Sequence, residues 1–198
     1  MTSIDHITLE VADPAAAADF YRAAFDLGDR VRFRQSEPPT SGFRGYTLSL
    51  VVAQPSTVTA LIDAAAEAGA TAIKPAAKSM WGFGGTLQAP DGAIWTIATS
   101  AKKDAGPATR EIENVVLLLG ADDVKASKRF YTDRGLEVGK SFGSYVEFVI
   151  PGSPIGLGLY KRAALAKTAG VGAEGSGSHR LAIGGGAGVD PDGFVWEE

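Results

Sequence analysis

The chain has 198 residues, 25 of them Gly and none Cys, with a formal net charge of −4, an apolar share of 45% and a charged share of 21%. These values describe a folded globular chain and exclude a collagen period, a disordered chain, a disulfide frame and any Cys-based zinc or iron–sulfur site. Lys and Arg are scattered singly or in pairs, which excludes the clustered footprint of a nucleic-acid binder, and no apolar run approaches the ~20 residues of a membrane span.

The opening residues, Met1 to His6, have no basic start and no apolar h-region, so the expectation is a cytoplasmic protein. Ile7, Leu9 and Val11 alternate with polar residues and predict a strand over 4–11. Asp13-Pro14 then reads as an N-cap followed by Pro at the first helical position. Ala17, Phe20, Tyr21 and Ala24 fall on one face of the helix that follows. Residues 30–35 and 43–53 read as strands, and Ser56 reads as the cap of a helix that carries Val58, Leu61, Ile62 and Ala65 and ends at Gly69. Ala89-Pro90-Asp91-Gly92 predicts a tight turn into a strand with Ile94 and Trp95.

The same order returns about 108 residues later. Residues 112–119 form a second opening strand, Asp122 or Asp123 can cap a helix, and Phe130-Tyr131 stands where Phe20-Tyr21 stood. Three short strands are expected over 136–142, 145–150 and 155–161, joined by Gly and Pro-Gly turns. Residues 178–183 look like the counterpart of 45–50, but they run through Gly184-Gly185-Gly186 almost straight to Asp190-Pro191-Asp192-Gly193 and a last strand with Trp196. Each half has therefore lost a different piece: the first a hairpin, the second a helix. The division expected is 1–101 and 111–198, with the polar segment 102–110 as linker.

Strand, Asp-capped helix with Phe-Tyr, further strands and a closing Asp-Pro-Asp-Gly-Phe-Val-Trp-Glu at 190–197 resemble the vicinal-oxygen-chelate superfamily, the glyoxalase, bleomycin-resistance and dioxygenase group. Asp-His-Ile-Thr-Leu-Glu-Val at 5–11 and the stretch at 81–85, which looks like the Trp-Gly loop before the closing strands, add to the resemblance, which spans nearly the whole chain. It implies an α+β fold of tandem βαβββ modules whose curved sheets form half-barrels around a cavity. Bends and bulges of such sheets account for the Gly content.

The resemblance also implies four slots for ligands of a divalent metal (Zn, Ni, Fe or Mn) in each site. In the first half His6 fills one slot, a second is lost with its hairpin, and Tyr46 or Thr47 and Thr96 stand at the others. In the second half the slots hold Asn114, Gly158, His179 and Glu197. The candidate metal ligands are thus His6, His179 and Glu197, an eroded set, and the expectation is a protein without a cofactor. Its candidate ligand-binding residues are the aromatics Tyr46, Trp81, Phe83, Tyr145 and Tyr160, whose rings suit a small aromatic or oxygen-rich organic ligand. Trp95 and Trp196 read as structural. The function expected is sequestration of a small molecule, antibiotic resistance being one form, in a homodimer; a metal-dependent lyase, isomerase or dioxygenase is the alternative.

Overall fold

In the computed structural model, which describes residues 3–198, β1 (His6–Val11) leads into α1 (Pro14–Ala24), and Asp13 Oδ1 accepts from the amides of Ala15 and Ala16 at 3.0 Å each. The chain continues through β2 (Val31–Gln35), β3 (Thr40–Gly42), β4 (Tyr46–Val51), α2 (Pro55–Glu67), β5 (Thr71–Ser79), β6 (Gly82–Gln88) and β7 (Ile94–Thr99). Residues 100–113 carry neither helix nor strand. Beyond them lie β8 (Asn114–Ala121), α3 (Val124–Thr132), β9 (Glu137–Phe142), β10 (Tyr145–Val149), β11 (Ile155–Lys161), α4 (Arg162–Ala169), β12 (Gly175–Gly177), β13 (Leu181–Gly184), β14 (Gly188–Val189) and β15 (Val195–Glu197). Asp123, rather than Asp122, caps α3, accepting from Lys125 at 2.9 Å and Ala126 at 3.2 Å.

One sheet has eight strands in the order β5-β6-β7-β4-β8-β11-β10-β9. It contains two complete βαβββ modules, β4-α2-β5-β6-β7 and β8-α3-β9-β10-β11. In each, the last strand returns parallel to the first, and the two first strands, β4 and β8, join antiparallel. The second sheet has five strands, β14-β15-β13-β1-β2, and follows the same plan with parts removed. On one side β1-α1-β2 keeps the helix and lacks the hairpin; on the other β13, β14 and β15 keep the return strand and lack the helix. β1 and β13 join antiparallel just as β4 and β8 do. Both sheets are curved and unclosed, and both take strands from either side of 102–110.

The core lies where α1, α2 and α3 meet the inner faces of the two sheets, with Ile7, Leu48, Trp95, Leu117 and Leu157 almost fully buried. The repeated motifs touch each other there. Tyr21 OH on α1 donates to Asp91 at 2.9 Å and accepts from Trp95 Nε1 at 3.1 Å, while Tyr131 OH on α3 donates to Asp190 at 2.6 Å with its ring 5.8 Å from Trp196. Phe-Tyr on a helix and Pro-Asp-Gly before a Trp strand recur together because one holds the other. Trp95 and Trp196 are structural, as expected.

Three local expectations change. The helix expected to be capped by Ser56 starts one residue before it, at Pro55, and it is Asp104 that reaches back to accept from the Ser56 amide at 2.7 Å. The Trp-Gly stretch is a hairpin turn and the start of β6, not a loop. Gly82 there has φ +138° and presses on the Thr99 carbonyl, where no side chain fits. α4, which the sequence pattern did not announce, lays Leu165, Ala166 and Ala169 with Phe43 and Ile94 on the outer side of the eight-stranded sheet.

Candidate functional site

Strand alternation sends Ile7, Leu9 and Val11 to the core and His6, Thr8 and Glu10 to the outer face of the five-stranded sheet. Register brings Arg32 beside Thr8 and Arg34 beside Glu10 on the parallel neighbour β2, and Gly184 between His6 and Glu197. A Cβ at Gly184 would run into the His6 ring, so glycine is what lets the imidazole lie across β13 toward β15. There His6 Nε2 stands 3.9 Å from Glu197 Oε1. Arg34 donates to Glu197 Oε2 at 2.8 Å and to Glu10 Oε1 at 3.0 Å, while Thr8 Oγ1 donates to Glu197 Oε1 at 2.8 Å. Arg32 Nη1 is 3.4 Å from His6 Nε2. A cleft of about 470 Å³ opens at the Glu10–Arg34 end of this face, lined also by Ser36, Pro38, Ser178, His179, Asp192 and Val195, while His6, Thr8, Arg32 and Glu197 lie outside it.

Electrostatics follow from the packing. Burial alone would raise the Glu197 carboxyl, but the hydrogen bonds from Arg34 and Thr8 and the Arg34 charge outweigh it and hold it below its ordinary 4.5. Burial first, and then the Arg32 charge, keep the His6 imidazole below its ordinary 6.5, against the pull of Glu197. The resting site therefore has a neutral ring, an ionised Glu197 and a guanidinium joining two acids.

Of the candidate metal ligands, His6 and Glu197 come together and His179 does not join them. His179 lines the cleft but is tied down away from Glu197: Nδ1 is 2.5 Å from the Arg44 carbonyl, Nε2 is 3.0 Å from the Asp192 carbonyl, and the ring stacks on Phe194 at 3.9 Å. Arg44 does the same service for the other turn, donating to the Asp91 carbonyl at 2.7 Å. On the eight-stranded sheet the slots hold Thr96, hydrogen-bonded to Ser49, exposed Asn114, and Gly158 beneath Leu118 and Tyr145.

The five aromatic candidates occupy different places. Tyr145 and Tyr160 meet on the eight-stranded sheet with ring centroids 4.8 Å apart, and Tyr145 OH donates to Glu147 at 3.2 Å. Tyr46 is buried at the inner face beside Phe194, Phe83 packs against the core, and Trp81 is 83% exposed at the β5–β6 hairpin. Arg32, Arg34 and Thr8 were not singled out from the sequence. Their signal was present, as Arg-x-Arg alternating on one strand and Thr-x-Glu on another, but only the β1–β2 register makes them one group.

A divalent metal does not fit the residues present. Glu197 and Glu10 are spanned by Arg34, the Nε2 of His6 faces a second guanidinium, and the buried Nδ1 has no hydrogen-bond partner among the described residues. A cation entering here would meet two fixed positive charges before any ligand. Among the described residues no group of three or more His, Cys, Asp or Glu is arranged to hold a metal ion.

No family model and no curated protein matches the sequence. Solved structures do match in fold. A glyoxalase I variant from Zea mays is 14% identical, with 98% of this chain and 90% of that one covered and a TM-score of 0.62. Glyoxalase I from the same plant gives 15%, 92% and 74%, and 0.59. A putative dioxygenase from Bacillus subtilis gives 12%, 94% and 71%, and 0.57. The chain therefore has the fold of these glyoxalase structures.

Proposed function

We propose that the protein binds a small oxygen-rich organic molecule on the outer face of its five-stranded sheet and does so without a metal. The observation that carries this is Arg34: its guanidinium joins Glu10 and Glu197, so a fixed organic cation holds the carboxylate that a metal would need. Arg32 is exposed on the same face, outside the cleft, and makes no ion pair among the described residues, so it is free to meet a ligand oxygen that reaches beyond the cleft, whose own hydroxyls are those of Ser36 and Ser178. Pro38 and Val195 add apolar wall. Sequestration of an antibiotic is the form such binding takes in resistance.

The test is a melting-temperature screen of oxygen-rich aromatic compounds, antibiotics included, run with and without a chelator. Stabilisation that survives chelation and is lost in Arg32→Ala supports the reading. Stabilisation that requires Zn, Ni, Fe or Mn overturns it in favour of a second reading, a metal-dependent lyase, isomerase or dioxygenase. That reading has one observation in its favour, the approach of His6 to Glu197 at 3.9 Å.

A further inference from the structure

A larger cavity, about 650 Å³, lies between α1, the end of α2 at Ala68 and the turn at Pro90-Asp91, and it shares no lining residue with the cleft on the five-stranded sheet. Buried Val11, Ala17, Phe20 and Tyr21 form its floor, and the exposed methyls of Ala16 and Ala23 form one wall.

The internal repeat explains why this junction is open. In the other half the matching helix is clipped to the matching turn. Ser127 Oγ donates to Asp192 Oδ2 at 2.5 Å and the Asp122 amide donates to Oδ1 at 2.8 Å. At α1 the residue corresponding to Ser127 is Ala17, which has no hydroxyl. Asp91, the counterpart of Asp192, accepts instead from Tyr21, one helical turn further on, at 2.9 Å. The turn thus stands off from the start of the helix, and the gap is lined by apolar groups that water solvates poorly.

Its charge has one sign. Asp13, Asp19 and Asp91 line the cleft, and among the described residues no Lys, Arg or His does. Arg22 pairs with Asp19 at 2.8 Å from outside, in a largely exposed and therefore weak contact. Burial, the largest influence on Asp91, pushes its carboxyl above the ordinary 3.8, against the Ala93 amide, the Tyr21 hydroxyl and the Arg44 charge. A helix start would otherwise draw an anion, but Asp13 already occupies the free amides of α1.

We propose that this cleft is a second ligand site, for a small lipophilic organic cation such as an aryl-substituted phosphonium or ammonium. Its rings lie against Phe20 and the alanine methyls, and its charge faces Asp19 and Asp91. The probes are tetraphenylphosphonium and its isosteric anion, tetraphenylborate, followed by equilibrium dialysis and by Trp fluorescence, since Trp95 lies 5.5 Å from Tyr21. The cation is expected to bind one to one, at least about tenfold more tightly than the anion. Ala16→Trp, which fills the cleft from an exposed helical position, should abolish binding, and Asp19→Asn should weaken it several-fold. Ala23→Trp repeats the filling test from another exposed position if Ala16→Trp is poorly folded. Arg34→Ala, on the other face, should leave phosphonium binding unchanged, so this site and the oxygen-ligand site fail or stand separately. Equal binding of the two probes, or full binding in the folded filling variants, overturns the proposal.

Discussion

The eight-stranded sheet keeps the helix and the hairpin of both its modules, and its outer face is covered in part by α4 and carries the tilted ring pair Tyr145 and Tyr160. The five-stranded sheet has lost a hairpin on one side and a helix on the other, and its outer face carries His6, Thr8, Glu10, Arg32, Arg34 and Glu197 in one chain of contacts. The two were laid out on the same plan, so the difference teaches where the plan tolerates loss. A complete module supplies enough apolar surface to spend its faces on packing. A shortened one leaves a half-covered face, where charged groups stay hydrated at their edges while pairing with each other. Stability is expected to reside in the first sheet and ligand chemistry in the second.

The largest effect should come from the first sheet. Trp95→Ala removes a fully buried indole that also donates to Tyr21, and it should cost about 3–5 kcal/mol in urea unfolding. Glu197→Gln, on the second sheet, should cost far less; a larger loss there would break the contrast. Next in size, Arg34→Ala removes the resident cation. Zinc or nickel, without effect on the melting temperature of the parent protein, should stabilise the variant by about 2.7 kcal/mol when present at a hundredfold excess over its Kd. No gain in a folded variant would mean that Arg34 does not stand in for a metal.

Gly184→Ala should be smaller but more local. Its methyl meets the His6 ring, so the imidazole must leave its seat, with a loss of about 1–3 kcal/mol and of oxygen-ligand binding, while phosphonium binding at α1 continues. The smallest effect is on pH dependence. His6 and Glu197 both titrate below their ordinary values in the folded protein. Each therefore contributes stability that is present above its unfolded value and is lost as pH falls through its lowered folded value. A melting-temperature profile should decline for His6 as pH drops below 6.5 and for Glu197 below 4.5, and His6→Gln and Glu197→Gln should each flatten their own part. A profile unchanged by both substitutions would show that the network does not couple to folding.

Much of the fold was legible because its signals are short. Asp13-Pro14, Asp123 and the two Pro-Asp-Gly turns act on neighbours within four residues, and the loss of a hairpin in one half and a helix in the other showed as missing pattern. α4 escaped because Arg162–Ala169 is short and carries no side-chain cap, and β6 escaped because its glycines hide strand alternation. Of the site, His6 and Glu197 came from the family pattern and do meet. His179 sat at a plausible slot by counting along the chain, but its ring lies between the backbone carbonyls of Arg44, before β4, and Asp192, at the turn.

By itself, then, the sequence determined the duplicated module plan, the helix starts, the turns and the two tryptophans that the turns lead into. Only the tertiary structure decided which strands became neighbours, and with them the site. Thr8 and Glu197 are 189 positions apart and Arg34 and Glu197 are 163 apart, yet both pairs form 2.8 Å hydrogen bonds. Caps and turns are written in adjacent residues, whereas strand register is settled by which faces can be buried together, a property of the whole chain.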